Sequence, residues 1–363
     1  MKLPQGSNLF LLWNVNLVIM NNNYRYTVAT RCFTYNQAQY IEGSLRGFAM
    51  QDTDFPVVYI IVDDASTDGE PEVIQSWANN NLLVEDGTQL IREMPYGQLI
   101  EGTLKGKPLS TFVMLLLSEN YYQTGREIKK FEYISHWFGD AKYHALCEGD
   151  DYWIHPQKLA LQVSFMESNP DYGMCHTDFS LSDGSRRTHY TEIYPDGNYY
   201  PGMLEHENVM IGTLTVLFKK EIFDRTPKYY FDNDFVAGDK PRWIELSKEA
   251  KIKYLPEVTA CYRILEKSAS HSPSLEKNLA FIRGLQDIRE FYAKKFNITL
   301  TDYDNYYTSA LRACYIASNA QVAEKYYQEA KAKKSVTKRG LIFYWGAKSK
   351  LFHSLIELFI KPK

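Results

Sequence analysis

The stretch that decides the fold of this chain is Val57-Val58-Tyr59-Ile60-Ile61-Val62-Asp63-Asp64-Ala65-Ser66-Thr67-Asp68, an apolar run that ends in a cluster of acids. The same arrangement returns where Tyr143-His144-Ala145-Leu146-Cys147 is followed by Glu148-Gly149-Asp150-Asp151. Short apolar runs rich in β-branched and aromatic residues predict strands. In an open α/β sheet, ligands bind beyond the carboxyl ends of the strands. We therefore expect both acidic clusters to face one crevice.

Acids in this position have two interpretations. Clustered carboxylates repel one another unless a cation or a donor lies between them, and oxygen ligands in this number suit Mg²⁺ or Mn²⁺ shared with substrate phosphates. Alternatively, Ser66 and Asp68 cap the helix that follows the strand. Capping does not explain a second doubled Asp at a second strand end, so a ligand site is favoured.

Charge is distributed unevenly along the 363 residues, whose formal net charge is −3. Residues 331–363 carry nine Lys and Arg residues against one acid, Glu357, a net charge of +8 that leaves −11 on residues 1–330. An acidic body does not attract the phosphates of nucleic acids. We therefore expect no nucleic-acid partner.

The five cysteines point to a reducing compartment. Their number is odd, their spacing is wide and no C-x-x-C pair occurs, which is neither a disulfide framework nor a zinc site. No apolar run reaches the ~20 residues that a transmembrane helix needs. We therefore expect a cytoplasmic protein, peripheral at the inner face of the plasma membrane if its tail binds lipid.

Alternation of strand and helix patterns organises most of the chain. Strands are predicted at 26–33, 57–62, 143–147, 172–176 and 213–218, with a short strand near 90–93 followed by a Gly/Lys/Pro-rich loop and a short last strand at 252–255. Helical periodicity takes over near residue 273. We predict an N-terminal extension at 1–22, an α/β domain at 23–272 and a helical region at 273–363 with a basic, apolar tail.

Several motifs resemble family 2 glycosyltransferases of the GT-A fold. They are Thr34-Tyr35-Asn36, Val62 to Asp68, and Glu148 to Trp153 with Pro156-Gln157-Lys158-Leu159. Three more are similar to bacterial members that build surface polysaccharides: Glu119 to Gly125, Gly238 to Trp243, and Tyr262-Arg263. The resemblance covers residues 26–272 and implies a mostly parallel central sheet flanked by helices, with a C-terminal helical appendage.

The resemblance also implies roles for individual residues. Those that would bind a nucleotide-diphospho-sugar donor are Phe33, Thr34, Tyr35, Asp63, Asp64, Asn120, Asp150 and Arg263. One acid of the Asp63/Asp64 pair would contact the base or ribose. Asp151 would bind Mg²⁺ or Mn²⁺ directly, Asp150 would reach the metal-bound water or ribose, and His271 could complete the metal shell.

Asp239 occupies the position of the family's general base. The activity implied is an inverting, metal-dependent transfer of a sugar to a hydroxyl of a glycan or lipid-linked glycan acceptor, in surface polysaccharide synthesis. Two alternatives stay open: an inert sugar-nucleotide-binding protein and a nucleotidyltransferase. Asp239 could also simply cap a helix at 241–249, and Arg263 could pair with Glu257 or a helix end.

The segment 340–360 combines large apolar residues with lysines. This composition suits a helix lying in an anionic membrane interface. It suits equally a C-terminal helix that docks its apolar side on the protein body.

Overall fold

Residues 24–84, 87–182, 196–206, 211–229, 233, 235–265 and 274–359 are described by the structure, a computed structural model. The strands are β1 (Tyr26–Thr34), β2 (Val57–Asp63), β3 (Leu82–Leu83), β4 (Ile91–Met94), β5 (Gly97–Leu104), β6 (Ser110–Leu117), β7 (Ala141–Leu146), β8 (Tyr152–Trp153), β9 (Tyr172–Leu181), β10 (Val216–Lys219) and β11 (Lys251–Tyr262). The helices are α1 (Ile41–Ala49), α2 (Glu70–Asn81), α3 (Ile128–Phe138), α4 (Lys158–Ser168), α5 (Lys220–Arg225), α6 (Asp239–Glu249), α7 (Leu275–Lys295), α8 (Asp304–Ile316), α9 (Ala320–Ala332), α10 (Lys338–Lys348) and α11 (Lys350–Phe359).

In the described part of the chain, eleven strands form one sheet in the order β3-β5-β6-β2-β1-β7-β10-β9-β11-β8, with β4 paired to β5. The four central strands β6, β2, β1 and β7 are mutually parallel. Most pairings outside this centre are antiparallel, except that β9 and β11 run parallel. The predicted α/β class with a parallel centre is confirmed, and the sheet as a whole is mixed.

Strand β2 shows how the sheet is covered on both faces. Its odd-numbered residues 57–61 pack with Leu45 of α1 and Trp77 of α2. Its even-numbered residues 58–62 pack with Ile134 of α3. Successive residues of a strand point to opposite faces, so Asp63 continues the α1/α2 side and Asp64 the α3 side.

Two strands differ from the sequence-based expectation. The loop predicted after 90–93 is in fact strand β5, which forms a hairpin with β4. A side chain at Gly97 would come within 2.0 Å of the Leu116 carbonyl oxygen, so glycine is needed where the hairpin turns. Strand β11 runs to Tyr262 rather than ending at 255, because a register shift between Tyr254 and Val258 accommodates Pro256.

The C-terminal helices contribute to two separate hydrophobic cores. Helix α7 places Ile288 and Tyr292 in the same core as Trp243 of α6. Helices α8 to α11 share a second core around Phe343. The tail predicted as one segment at 340–360 is two helices, α10 and α11, separated by Ser349 in an extended conformation. None of the helices in the described ranges is long and apolar enough to cross a bilayer.

Candidate active site

The carboxyl ends of β1, β2 and β7 lie side by side and position the predicted site. Thr34 of β1 is opposite Asp63 of β2. The loops continue this pairing past the strands, because the Asp64 amide donates to the Thr34 carbonyl (3.0 Å) and the Gly149 amide donates to the Phe33 carbonyl (3.2 Å). The two acidic clusters therefore flank the end of β1, as the sequence predicts.

Glu70 organises the first acidic turn, residues 63–70. Its buried carboxylate accepts hydrogen bonds from the Thr34 hydroxyl, the Gln37 amide (2.8 Å) and the Ser66 hydroxyl (2.9 Å). Asp68 accepts from the Ala38 amide at 2.9 Å. The turn after β1 is thus fastened to the turn after β2, and Thr34 is buried within this network.

Asp63 and Asp64, which the sequence leaves as alternatives, have different surroundings. Asp64 is 3 % exposed and accepts from the Tyr121 amide (2.9 Å), the Tyr122 amide (3.1 Å) and Lys130 Nζ (2.8 Å). Asp63 is fully buried; its Oδ2 accepts from the Ser66 amide at 3.2 Å, and its Oδ1 has no hydrogen-bond partner among the described residues. Burial raises the pKa of Asp63 to about 7.

Glu148 opens the second acidic turn, residues 148–151, and anchors it to β1. Its carboxylate accepts from the Phe33 amide at 3.3 Å and lies 3.5 Å from Arg31 Nη2. The Arg31 guanidinium lies over the Phe33 ring, 4.5 Å from its centroid. A side chain at Gly149 would come within 2.2 Å of the Thr34 hydroxyl, so only glycine allows the two turns to approach this closely.

Asp150 and Asp151 are short of donors by comparison. Asp151 is 6 % exposed, and its Oδ1 accepts from the Arg263 amide at 2.9 Å. Burial, with the adjacent Asp150 charge, raises the pKa of Asp151 to about 8. Burial also raises the pKa of Asp150. Two partly buried carboxyl groups that resist ionisation together provide a place for a cation.

Arg263 is held beside these acids. Its Nη1 donates to the Asp150 carbonyl at 2.6 Å, and its guanidinium lies over the rings of Tyr40 and Tyr152 at 5.0 and 4.4 Å. It contacts the second acidic turn rather than Glu257, the partner considered as an alternative.

Asp239 is exposed and is the first residue of α6, with Gly238 at the capping position. Its Oδ1 accepts from the Lys240 amide at 2.7 Å, and Thr213 Oγ1 lies 3.5 Å from its Oδ2. The short 3₁₀ turn that holds Thr213 also holds Leu214, whose carbonyl accepts from Trp153 Nε1 at 2.9 Å. Asp239 therefore lies beside the turn that contacts β8, the strand following the second acidic turn.

Three predicted site residues remain, of which two lie in the described part of the chain. Tyr35 is exposed, and its hydroxyl accepts from Gln123 Nε2 at 3.3 Å; Asn120 Oδ1 accepts from the Gln123 amide at 2.7 Å. His271 lies outside the described residues. Within the described ranges, no three His, Cys, Asp or Glu side chains are grouped as a metal site.

Two residues of this region, Glu70 and Lys130, were not predicted from the sequence. A signal for Lys130 was present, because it shares the buried side of α3 with Ile134 and Trp137. A lysine on such a side is almost never buried without a partner. Glu70 gave a weaker signal, since an acid in the first turn of a helix is common on the surface.

One known protein family matches the part of the chain that holds the first acidic turn. The model of the family described as "Glycosyl transferase family 2" matches residues 33–92, which span β1, the first acidic turn and α2. Residues 33–92 therefore match family 2 of the glycosyltransferases. The second acidic turn lies outside the matched segment.

Relatives and solved structures give the extent of the similarity. The chain is 29 % identical over 241 residues to the uncharacterized proteins Rv1520 of Mycobacterium tuberculosis (strain ATCC 25618 / H37Rv) and Mb1547 of Mycobacterium bovis, over 63 % of its own length. It matches about half, 56 %, of the length of these relatives. Among solved structures it is similar to S. aureus TarS 1–349 in complex with UDP (14 % identity, TM-score 0.44, 88 % of this chain and 90 % of that one). It is also similar to the mannosyltransferase PcManGT from Pyrobaculum calidifontis in complex with GDP-Man and Mn2+ (17 % identity, TM-score 0.45, 96 % and 92 %).

Proposed function

We propose that this protein is an inverting, metal-dependent glycosyltransferase that moves a sugar from a nucleotide-diphospho-sugar to an acceptor hydroxyl, in surface polysaccharide synthesis. The observation that carries the proposal is the contrast between the two acidic turns at the end of β1, the first of which lies in the segment that matches family 2. In the first turn, Asp64 and Glu70 each accept three hydrogen bonds, whereas Asp150 and Asp151 in the second are held close together with few donors.

The donor set of the second turn fits a hard divalent cation. Asp150 and Asp151 supply carboxylate oxygens, and their raised pKa values express a charge that the protein itself does not compensate. A bound Mg²⁺ or Mn²⁺ would neutralise the charge that develops on the leaving diphosphate. Arg263, fixed over Tyr40 and Tyr152, adds a positive charge beside the same acids.

Asp239 supplies the base. Its carboxylate is exposed at the start of α6, and among the described residues its Oδ2 has only a long contact with Thr213, so it is accessible to an acceptor. It accepts the proton of the acceptor hydroxyl as the oxygen attacks the anomeric carbon. A single displacement inverts that carbon and needs no protein nucleophile.

Turnover of a donor panel tests this proposal. UDP-, GDP- and dTDP-sugars are incubated with the protein and Mn²⁺, with and without EDTA, and released nucleotide is measured; the anomeric configuration of any product follows from NMR. We expect release from one donor class, its loss in EDTA, and an inverted product. Donor binding without nucleotide release would favour the inert sugar-nucleotide-binding protein. Release of pyrophosphate from a nucleoside triphosphate and a sugar phosphate would favour the nucleotidyltransferase. A product with retained anomeric configuration would contradict inversion.

A lipid-linked acceptor would require the enzyme to work at a membrane surface, and the two last helices suit one. On the outward sides of α10 and α11, five apolar side chains are exposed: Ile342, Trp345, Leu351, Phe352 and Leu355. The opposite sides pack into the helical core, through Phe343 on α10 and Ile356 on α11. Lys338, Arg339 and Lys350 are exposed on the same two helices. Apolar and aromatic groups with flanking cations match an anionic bilayer surface at the inner face of the plasma membrane.

Co-sedimentation with vesicles tests this part. The full chain is expected to sediment with phosphatidylglycerol vesicles, less with phosphatidylcholine, and less at high salt. Leu351→Glu with Phe352→Glu should abolish sedimentation, whereas Leu83→Glu, which changes an exposed apolar residue on β3, should not. Binding that is unaffected by the double substitution would contradict a membrane role for α11.

A further inference from the structure

The Asp64 carboxylate is fully occupied by protein donors. Its Oδ1 accepts from the Tyr121 amide, and its Oδ2 accepts from the Tyr122 amide and Lys130 Nζ, all between 2.8 and 3.1 Å. With 3 % of its surface exposed, it offers a donor molecule little room.

Lys130 completes the arrangement from α3. It is 6 % exposed and forms an ion pair with Asp64, and its Nζ lies 5.0 Å from the centre of the Phe33 ring. A buried ion pair can serve to fix a local geometry, and not only to stabilise the fold. This pair connects the ends of β1 and β2 with α3.

The segment that the pair fixes is the turn 120–125. Asn120 and Tyr121 fasten its two sides, through the Gln123 amide at 2.7 Å and the Tyr133 hydroxyl at 3.1 Å. The Tyr122 ring is 69 % exposed, and Gln123 donates to the Tyr35 hydroxyl. The turn therefore places the Gln123 side-chain amide next to Tyr35, at the end of β1, and exposes the ring of the preceding residue, Tyr122.

We infer that Asp64 and Lys130 are positioning residues that hold the turn 120–125 as one wall of the donor site, so that the turn discriminates between nucleobases. The inference rests on the proposed function. An exposed aromatic ring stacks on any nucleobase, whereas the side-chain amide of Gln123 would form hydrogen bonds with the edge of the base. Selectivity between nucleobases therefore depends on how firmly the turn is held.

The test compares Lys130→Met with Lys129→Met, a neighbour on α3 whose ion pair with Glu132 is on the surface. Affinities for UDP, GDP and dTDP with Mn²⁺ are measured by calorimetry, and kcat and KM with the preferred donor. We expect Lys130→Met and Asp64→Asn to lower the affinity for the preferred nucleotide by about 10- to 100-fold and to reduce the difference in affinity between the three nucleotides. The kcat should change much less than KM. Lys130→Arg should restore part of the preference, and Lys129→Met should match the wild type.

Unchanged nucleotide ratios in folded Lys130→Met and Asp64→Asn would overturn the inference, as would a fall in kcat with unchanged KM. If those variants do not fold, Tyr122→Ala replaces them, because it removes an exposed ring without touching the ion pair. A Tyr122→Ala variant with the nucleotide preference of the wild type would then overturn the inference. If the wild type binds no nucleotide, the proposed function fails with it. If the wild type binds one nucleotide preferentially and the variants keep that preference, only this inference fails.

Discussion

The two acidic turns at the end of β1 have similar sequences and different physical states. In the first, the carboxylates of Asp64 and Glu70 each accept three hydrogen bonds from the protein. In the second, burial and mutual repulsion raise the pKa of Asp151 to about 8, and its side chain accepts from one backbone amide. A carboxylate whose oxygens the protein already satisfies is a weaker candidate for binding a cation than one that lacks donors. Substitution of Glu70 in the first turn should therefore mainly affect stability, whereas substitution of Asp151 in the second should mainly affect activity.

The largest expected effect is on the second turn. Asp151→Asn should lower Mn²⁺-dependent turnover by ~10²–10⁴-fold, because a metal ligand contributes several kcal/mol to the transition state. Asp68→Asn, an exposed acid of the first turn, should stay within about twofold. Steady-state rates over a Mn²⁺ titration measure both. Equal losses in the two variants would remove the distinction between the turns.

Asp239 tests whether chemistry can be separated from binding. Asp239→Asn should lower kcat by ~10²–10⁴-fold, the contribution of a positioned base, and leave donor affinity unchanged. Calorimetry with the donor and a rate assay give the two quantities. If donor affinity is lost together with kcat, Asp239 supports the start of α6 and the base lies elsewhere.

Glu70 tests the first turn. Glu70→Ala should lower the free energy of unfolding by about 2–3 kcal/mol, because it leaves the buried Thr34 hydroxyl and the Gln37 amide without their acceptor. Glu72→Ala, on the exposed side of the same helix, is the matched control. Urea unfolding measures both. A Glu70 variant as stable as the control would show that the turn does not depend on this carboxylate.

The smallest effect is a pH dependence from Asp63. Burial raises its folded pKa to about 7, above the unfolded value, so the folded state binds more protons between pH ~4 and ~7. This contribution is fully present below the unfolded pKa and is lost as the pH rises through 7. The free energy of unfolding of Asp63→Asn relative to wild type, measured in urea, should therefore be higher at pH 8 than at pH 5, by on the order of 1 kcal/mol. A difference independent of pH would contradict the raised pKa.

Local pattern was enough to predict the centre of the sheet and the place where the acids meet. Apolar runs before Asp63 and Glu148 identify β2 and β7, and parallel strands bring their ends together. Strand β5 was missed because its stability comes from the β4 hairpin and from Gly97, not from its own composition. Proline in β11 concealed the strand's length, since the register shift that tolerates it is a property of the pair.

Which acid does what was harder to predict, because it depends on partners distant in sequence. Asp64 is occupied by residues 57 to 66 positions away, Tyr121, Tyr122 and Lys130. Strand alternation alone places Asp63 and Asp64 on opposite faces, but only packing against α3 reveals that one face carries a lysine. The two exposed sides of α10 and α11 likewise required the packing of Ile356 to be known.

The most direct test is the thermal shift produced by a nucleotide-sugar with Mn²⁺ in wild type, Asp151→Asn and Glu70→Gln, each measured with and without the ligands. We expect the wild type to be stabilised by about 2–4 kcal/mol at ligand concentrations of 100 to 1,000 times Kd. Asp151→Asn should keep its ligand-free melting temperature and lose the shift, whereas Glu70→Gln should melt lower without ligand and keep a shift. A full Mn²⁺-dependent shift in Asp151→Asn would contradict the assignment of the second acidic turn as the metal and donor site.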